Sequence, residues 1–131
     1  MWEVQLGPGG DQGGITGSMA SASYENGVLY IETALATVNG VSYAGSIGAF
    51  NALNGQQLWR VGVAGPLSAT VILANGLLYD TQGKTFEIRD ITTGSVLFSK
   101  TFSGPLKGSV TVCNGIVYIP AMNWYLYAYT V

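Results

Sequence analysis

The side chains able to perform acid–base, metal or thiol chemistry are few in this sequence. The chain has no histidine, so it lacks the commonest general base, the commonest metal ligand and the middle residue of a serine triad. Its one cysteine, Cys113, has no imidazole to activate it, and we predict that it is a small buried apolar residue, as free cysteines usually are. We therefore expect no catalytic, metal-binding or cofactor-binding residues, and no cofactor.

Acidic side chains supply the second possible chemistry. Glu32 and Asp80 follow Tyr30 and Tyr79, two tyrosines of a repeated motif, by two and one positions. A pair of carboxylates can bind a hard cation or serve a glycosidase. Because acids are seldom buried without a partner, we favour exposed strand ends for both residues.

Charge is scarce along the chain, with 9% charged residues and a net charge of −2. Soluble proteins have about a quarter charged residues, so the sequence favours extensive burial against partners, or an extracytoplasmic or particle-surface location. Five scattered basic residues argue against nucleic-acid binding. Residues 61–79 are uncharged, but Gly65-Pro66 and Asn75-Gly76 interrupt them, so we expect no membrane span.

Three copies of one short motif must position these side chains. They are Asn26-Gly27-Val28-Leu29-Tyr30, Asn75-Gly76-Leu77-Leu78-Tyr79 and Asn114-Gly115-Ile116-Val117-Tyr118. Asn-Gly between apolar stretches is the strongest short-range signal for a β-hairpin, because a type I′ turn needs positive φ at both central residues. The spacing predicts a repeat architecture.

A second motif has the same period. Ala49-x-Asn51-x-x-x-Gly55-x-x-x-Trp59 returns 39 residues later as Ile88-x-Asp90-x-x-x-Gly94-x-x-x-Phe98. We expect Asp90 to hydrogen-bond its own turn, as Asx residues do. Each repeat then reads as four antiparallel strands, in the middle repeat at 67–74, 77–81, 84–89 and 95–102, and no segment has the periodicity of a helix.

Two segments interrupt the regular spacing. Ten extra residues in the first repeat fall at 32–46, which we interpret as a lengthened loop. Residues 7–16 carry a second insertion, rich in glycine. A phosphate-binding loop would open a helix and supply a lysine, and neither is present, so we predict a flexible connector.

The ends of the chain complement each other in this scheme. Trp2-Glu3-Val4-Gln5-Leu6 resembles the fourth strand that begins at Trp59, whereas the third repeat reaches Val131 without a fourth strand. We therefore expect a single domain, 1–131, with blades at 17–62 and 66–102, a partial blade at 105–131 and a strand at 2–6 that completes a last blade. An unpaired strand edge is removed when sheets close into a ring.

The two motifs together resemble the blade repeat of pyrroloquinoline-quinone-type β-propellers, a family with quinoprotein alcohol dehydrogenases and a non-enzymatic outer-membrane assembly protein. The resemblance implies an all-β propeller of four-stranded antiparallel blades. The strand count gives three blades per chain, and because a propeller needs about four to eight blades to close, we expect closure by oligomerisation. The resemblance also implies that the aromatic residue of each motif docks on the neighbouring blade; the matching positions are Trp2, Ala49, Asn51, Gly55, Trp59, Asp90, Gly94 and Phe98. The dehydrogenases use adjacent half-cystines, which a single cysteine cannot supply.

Function and partners follow from this architecture. We expect a non-enzymatic interaction module that forms a six-bladed homodimer, with a nine-bladed trimer as the alternative. It would present a loop-rich face to a protein or glycan through Asp11, Gln12, Tyr43, Asn123 and Trp124, since long loops on a rigid scaffold carry function. The alternative is part of a quinone- or metal-dependent enzyme whose catalytic residues lie on another chain.

Overall fold

Eleven strands in three antiparallel sheets make up the computed structural model, which describes residues 1–7, 17–18 and 20–131. The first sheet has the order β1-β2-β3-β4, the second β5-β6-β7-β8 and the third β11-β10-β9. The described residues form no helix, so none could span a membrane. The strands are β1 (Ser23–Glu25), β2 (Val28–Val38), β3 (Val41–Asn51), β4 (Gln57–Val63), β5 (Ile72–Ala74), β6 (Leu77–Gln82), β7 (Thr85–Asp90), β8 (Val96–Thr101), β9 (Thr111–Cys113), β10 (Ile116–Pro120) and β11 (Leu126–Thr130).

The repeated Asn-Gly pairs form the first turn of every sheet. Asn26, Asn75 and Asn114 have φ values of 49°, 53° and 50°, and the glycines that follow also have positive φ. These are the conformations that a type I′ turn requires. The prediction of a hairpin at each motif is therefore confirmed.

Strand bounds in the second sheet agree with the sequence except in the first strand. We expected 67–74, but β5 covers only Ile72–Ala74, and Leu67 makes a single bridge to Gln82. Residues 64–71 cross from one sheet to the next, so most of the predicted strand is connector. The short β1, β5 and β9 lie side by side at the inner edges of the sheets, and β8 is exposed throughout.

The hydrophobic core lies between adjacent sheets rather than within one. One cluster joins the first and second sheets through Tyr30, Ile47, Val71 and Leu78. The other joins the second and third sheets and is larger, with Tyr79, Phe86, Ile88, Phe102, Leu106, Val110, Val117 and Ile119. Each repeat therefore buries its apolar faces only by stacking on its neighbours.

The interpretation of residues 32–46 as a loop is wrong. They continue β2 and β3, which are 11 residues each and meet at a turn formed by Asn39 (φ 50°) and Gly40 (φ 79°). The sequence Asn39-Gly40-Val41-Ser42-Tyr43 is a fourth copy of the hairpin motif, and it carried the signal that the analysis missed. The first hairpin thus extends beyond the six-residue β6 by about 16 Å at the usual rise of a strand.

Cys113 is exposed, contrary to the prediction that it is buried. It pairs with Ile116 at the edge of the third sheet. Val112 and Val117 point toward the second sheet, and side chains alternate along a strand, so Cys113 points to the uncovered side.

Candidate functional site

Trp59 fastens the first sheet to the second. Its indole Nε1 donates a hydrogen bond to the Ile91 carbonyl at 3.0 Å. A Cβ added to Gly94, which has a φ of 75°, would lie 2.7 Å from the indole ring, so only glycine fits below it. Ala49, opposite Trp59 in the β3–β4 ladder, is fully buried.

Trp2 occupies the corresponding place on the first sheet. Its Nε1 donates to the Ala52 carbonyl at 3.2 Å, and a Cβ on Gly55 would lie 2.5 Å from its ring. Residues 2–6 nevertheless join no strand ladder with any other described residue. The N-terminal segment therefore lies where the fourth strand of a preceding blade would lie.

Asn51 and Asp90 order the turns that receive the two tryptophans. Asn51 Oδ1 accepts the Leu53 amide at 2.9 Å, and Asp90 Oδ1 accepts the Thr92 and Thr93 amides at 2.8 and 3.0 Å. The hydrogen bond from the Thr92 hydroxyl, and after it the one from the Thr92 amide, holds the pKa of Asp90 below its ordinary value. These are the Asx turns expected from the motif.

Phe98, the third docking aromatic of the sequence analysis, packs on its own sheet. Its ring centroid lies 6.3 Å from that of Phe86, and about half of its surface is exposed. It contacts no turn equivalent to those at Gly55 and Gly94.

Equivalent positions of the three repeats differ in burial. Leu78 and Val117 face an adjacent sheet and are 0% exposed, whereas their equivalent Leu29 is only half-buried. Tyr30 and Tyr79 are 6% and 1% exposed, and their equivalent Tyr118 is half-buried. The side of the first sheet that faces away from the second sheet, with Leu29, Ile31 and Phe50, is called the first outer face. Trp2, Val4 and Leu6 of the N-terminal segment line a small pocket with these three residues, and Phe50 is only 3% exposed. The side of the third sheet that faces away from the second sheet, with Ile116, Tyr118, Leu126 and Ala128, is called the second outer face.

Two of the predicted binding residues, Asn123 and Trp124, are neighbours in the turn between β10 and β11, but their side chains have different surroundings. Asn123 donates from Nδ2 to Ser103 Oγ and to Tyr127 Oη, both at 2.8 Å, so its amide is occupied within the chain. Trp124 is 98% exposed and has a φ of 70°. With Met122 and Tyr125, also exposed, it forms an apolar surface called the Trp124 patch.

Tyr43 lies in a different place, on the extended hairpin. Its ring covers Gly62 of β4 and lines a groove of about 490 Å³, called the hairpin groove. Neither Asn123 nor Trp124 lines this groove. The predicted site residues therefore do not form one site, and Asp11 and Gln12 lie outside the described residues.

Arg60 is a charged residue of the hairpin groove that was not among the predicted site residues. Its Nε donates to Ser46 Oγ at 3.0 Å and its Nη2 donates to the Leu6 carbonyl. Burial lowers the pKa of its guanidinium from the ordinary value. The signal available in the sequence was an arginine directly after Trp59, where the second repeat has Ser99 after Phe98.

Glu32 and Asp80 are buried, not exposed as predicted, at 3% and 1% of their surface. Tyr30 does not end its strand, since β2 continues to Val38, and the second sheet covers this side of β2. Among the residues that the structure describes, neither carboxylate oxygen of Glu32 has a hydrogen bond of good geometry, and the Ala69 backbone acts on its pKa only as a weaker, lowering influence. Burial first, and then the charge of Asp80, raises the pKa of Glu32 to about 9.

Asp80 belongs to an ionic cluster on the side of the second sheet that faces Glu32. Arg89 Nε donates to Asp80 Oδ1 at 3.1 Å, and Arg89 Nη2 pairs with Glu87. Burial raises the pKa of Asp80 to about 7 although Arg89 opposes the shift. The described residues hold no group of three histidine, cysteine or acidic side chains arranged for a metal ion.

Comparison with known protein families identifies the repeat. A family model described as outer membrane protein assembly factor BamB matches residues 43–131. The chain belongs to this family of PQQ-type propeller repeats. Comparison with curated protein sequences finds no match.

Solved structures share the fold at low sequence identity. BamB from Moraxella catarrhalis superposes with a TM-score of 0.69 and 14% identity over 88% of this chain and 34% of that protein. The quinohemoprotein alcohol dehydrogenase ADHIIG from Pseudomonas putida HK5 superposes with a TM-score of 0.68 and 18% identity, over 88% of this chain and 19% of the enzyme. The computationally designed Ika8 protein superposes with a TM-score of 0.59 and 12% identity, over 87% of this chain and 46% of the designed protein. This chain thus spans about a third of BamB and a fifth of the dehydrogenase.

Proposed function

We propose that this chain is a non-enzymatic interaction module that closes a propeller ring with a second copy of itself. The observation that carries the proposal is the unequal burial of equivalent positions: side chains that are buried at the two internal interfaces are only partly buried at Leu29 and Tyr118. Each outer face therefore has the composition of one half of an interface between blades. A blade of the same kind is the partner that fits it.

The strand edges support the same arrangement. β11 is an edge strand, and the N-terminal segment pairs with no strand among the residues that the structure describes. An exposed edge favours pairing with another chain. A two-fold rotation that places residues 2–6 beside β11 of the second copy satisfies both edges and gives six blades. A trimer with nine blades is the alternative closure.

The Trp124 patch would be presented to a further protein partner. Tryptophan and tyrosine dominate the binding energy of many protein interfaces, and a rigid exposed tryptophan loses little entropy on binding. Asn123 holds the turn through its two hydrogen bonds, so Trp124 is displayed on a fixed support. The family description, an outer membrane protein assembly factor, supports an extracytoplasmic location.

Light scattering of the purified chain tests ring closure. We expect twice the 13.7 kDa mass of one chain, and a monomeric mass for Tyr118→Arg and Leu29→Arg, because each places a charge in a dry interface. Leu53→Arg is the matched control, since Leu53 is exposed on the turn between β3 and β4. A compact wild-type monomer would refute the proposal.

A further inference from the structure

The hairpin groove is a cavity that ring closure leaves unexplained. Its volume of about 490 Å³ lies within the range of small-molecule sites, roughly 300–1,000 Å³. Leu35, Thr37 and Ser42 line it from the extended part of the β2–β3 hairpin. Because β6 and β10 are shorter than β2, the second and third sheets lack this part of the hairpin. The groove is thus a property of the insertion in the first repeat.

The lining of the groove combines one cation with neutral hydrogen-bonding groups. Among the described residues that line the groove, Arg60 is the only one with a charged side chain and none has a carboxylate. Thr37, Ser42 and Tyr43 contribute hydroxyl groups, and Gln5 contributes an amide. The hydroxyls and the amide can each donate and accept hydrogen bonds.

The guanidinium of Arg60 has unused capacity for an anion. Two of its five N–H donors are directed at Ser46 Oγ and the Leu6 carbonyl. Within residues 1–7, 17–18 and 20–131, the ion pairs belong to Arg89, and no carboxylate lies within salt-bridge distance of Arg60. A partly buried cation without an anionic partner carries a desolvation cost that a carboxylate ligand would offset.

We propose that the hairpin groove binds a carboxylate-bearing sugar of the uronic acid class. The carboxylate pairs with Arg60, and the sugar hydroxyls bind Ser42, Thr37 and Gln5. Tyr43 and Leu35 supply apolar surface for the C–H side of the ring. One guanidinium matches the single charge of a uronate, whereas the neutral donors around it match vicinal hydroxyls better than a phosphate dianion.

Titration of the ¹⁵N-labelled chain with glucuronate, glucose and inorganic phosphate tests this proposal. We expect glucuronate alone to shift the amide signals of residues 35–37, 42 and 43 in a saturable way. Arg60→Gln should weaken binding roughly 10- to 100-fold, the usual contribution of a charge-assisted pair, while Arg60→Lys retains part of the affinity. Ser42→Ala should weaken it roughly two- to ten-fold, the usual contribution of a neutral hydrogen bond.

Lys100→Gln is the matched control, because it removes one exposed positive charge from β8, away from the groove. The proposal is overturned if glucuronate leaves the groove amides unshifted, if glucose or phosphate shifts them equally, or if Lys100→Gln weakens binding as much as Arg60→Gln. It is also overturned if only Asp11→Asn binds glucuronate, since Arg60 would then be paired within the chain. Ring closure is measured separately by mass, so either proposal can fail alone.

Discussion

Glu32 is a buried carboxylate whose protonation should control the stability of the contact between the first and second sheets. Within the described part of the chain, neither of its oxygens has a well-formed hydrogen bond. Asp80, Glu87 and Arg89 are the charged groups on the side of the second sheet that faces it. Burial raises its pKa from the ordinary 4.5 to about 9. Between these two values the folded chain holds a proton that the unfolded chain releases.

The sign and size of the effect follow from proton linkage. The stabilisation is fully present below pH 4.5 and is lost as the pH rises toward 9. One proton of difference lowers the free energy of unfolding by about 1.4 kcal/mol per pH unit. For a chain of this size that corresponds to a fall in Tm of roughly 4–6 °C per pH unit. Asp80, with its pKa raised to about 7, adds a slope of the same sign below that pH.

Glu32→Gln separates the two carboxylates, because glutamine has almost the same shape and never ionises. We expect the variant to gain Tm over wild type as the pH rises from 5 to 8, when both are compared by thermal denaturation at equal protein concentration. Glu25→Gln, which removes a carboxylate at the end of β1, should follow wild type. A difference between Glu32→Gln and wild type that stays constant over this range would refute the reasoning.

Three further predictions concern the contacts between and within sheets. Trp59→Ala should lower the free energy of unfolding by about 3 kcal/mol in chemical denaturation, because it removes a packed indole. Phe98→Ala should lower it clearly less, because the Phe98 side chain is about half exposed. Equal losses in the two variants would contradict the docking role of Trp59. Arg89→Met leaves the carboxylates of Asp80 and Glu87 without their cation. It should lower the free energy of unfolding by about 3–5 kcal/mol at pH 8 and by less at pH 5, where Asp80 is protonated. A loss of stability that does not depend on pH would argue against the ion pairs. Gly40→Ala, at a φ of 79°, should cost about 1 kcal/mol and weaken glucuronate binding, whereas unchanged binding would show that the hairpin turn does not shape the groove.

The fold was largely predictable because its signals are local. A type I′ turn requires positive φ at two successive residues, so each Asn-Gly pair marks a hairpin without knowledge of the rest of the chain. The same rule would have assigned Asn39-Gly40, had the ten-residue insertion not been interpreted as a loop. Residues 67–71 were assigned to a strand, although a connector between sheets buries Leu67, Ala69 and Val71 equally well.

The candidate site was much less predictable because it depends on contacts between distant segments. Nothing near Glu32 in the sequence shows that a second sheet covers it, and burial at that interface decides its protonation. Arg60 becomes a groove residue only because the N-terminal segment and the extended hairpin meet around it. Cys113 was assigned to the core by residue type alone, whereas strand alternation in the third sheet places it outside.

The pairing of the N-terminal segment with a second copy can be measured directly by a disulfide cross-link. In the first two sheets Ile47 pairs with Val61 and Phe86 with Lys100, and the same register places Val4 opposite Leu126 of the second copy. Facing residues in adjacent strands have Cα atoms about 4.5–5.5 Å apart, close enough for a disulfide.

Two chains in a Cys113→Ser background, one with Val4→Cys and the other with Leu126→Cys, should therefore form a covalent heterodimer on mild oxidation. Val4→Cys mixed with Leu53→Cys should not. A ring closed by strand exchange predicts the first cross-link alone, whereas its absence, or equal cross-linking in the control, would contradict the central claim.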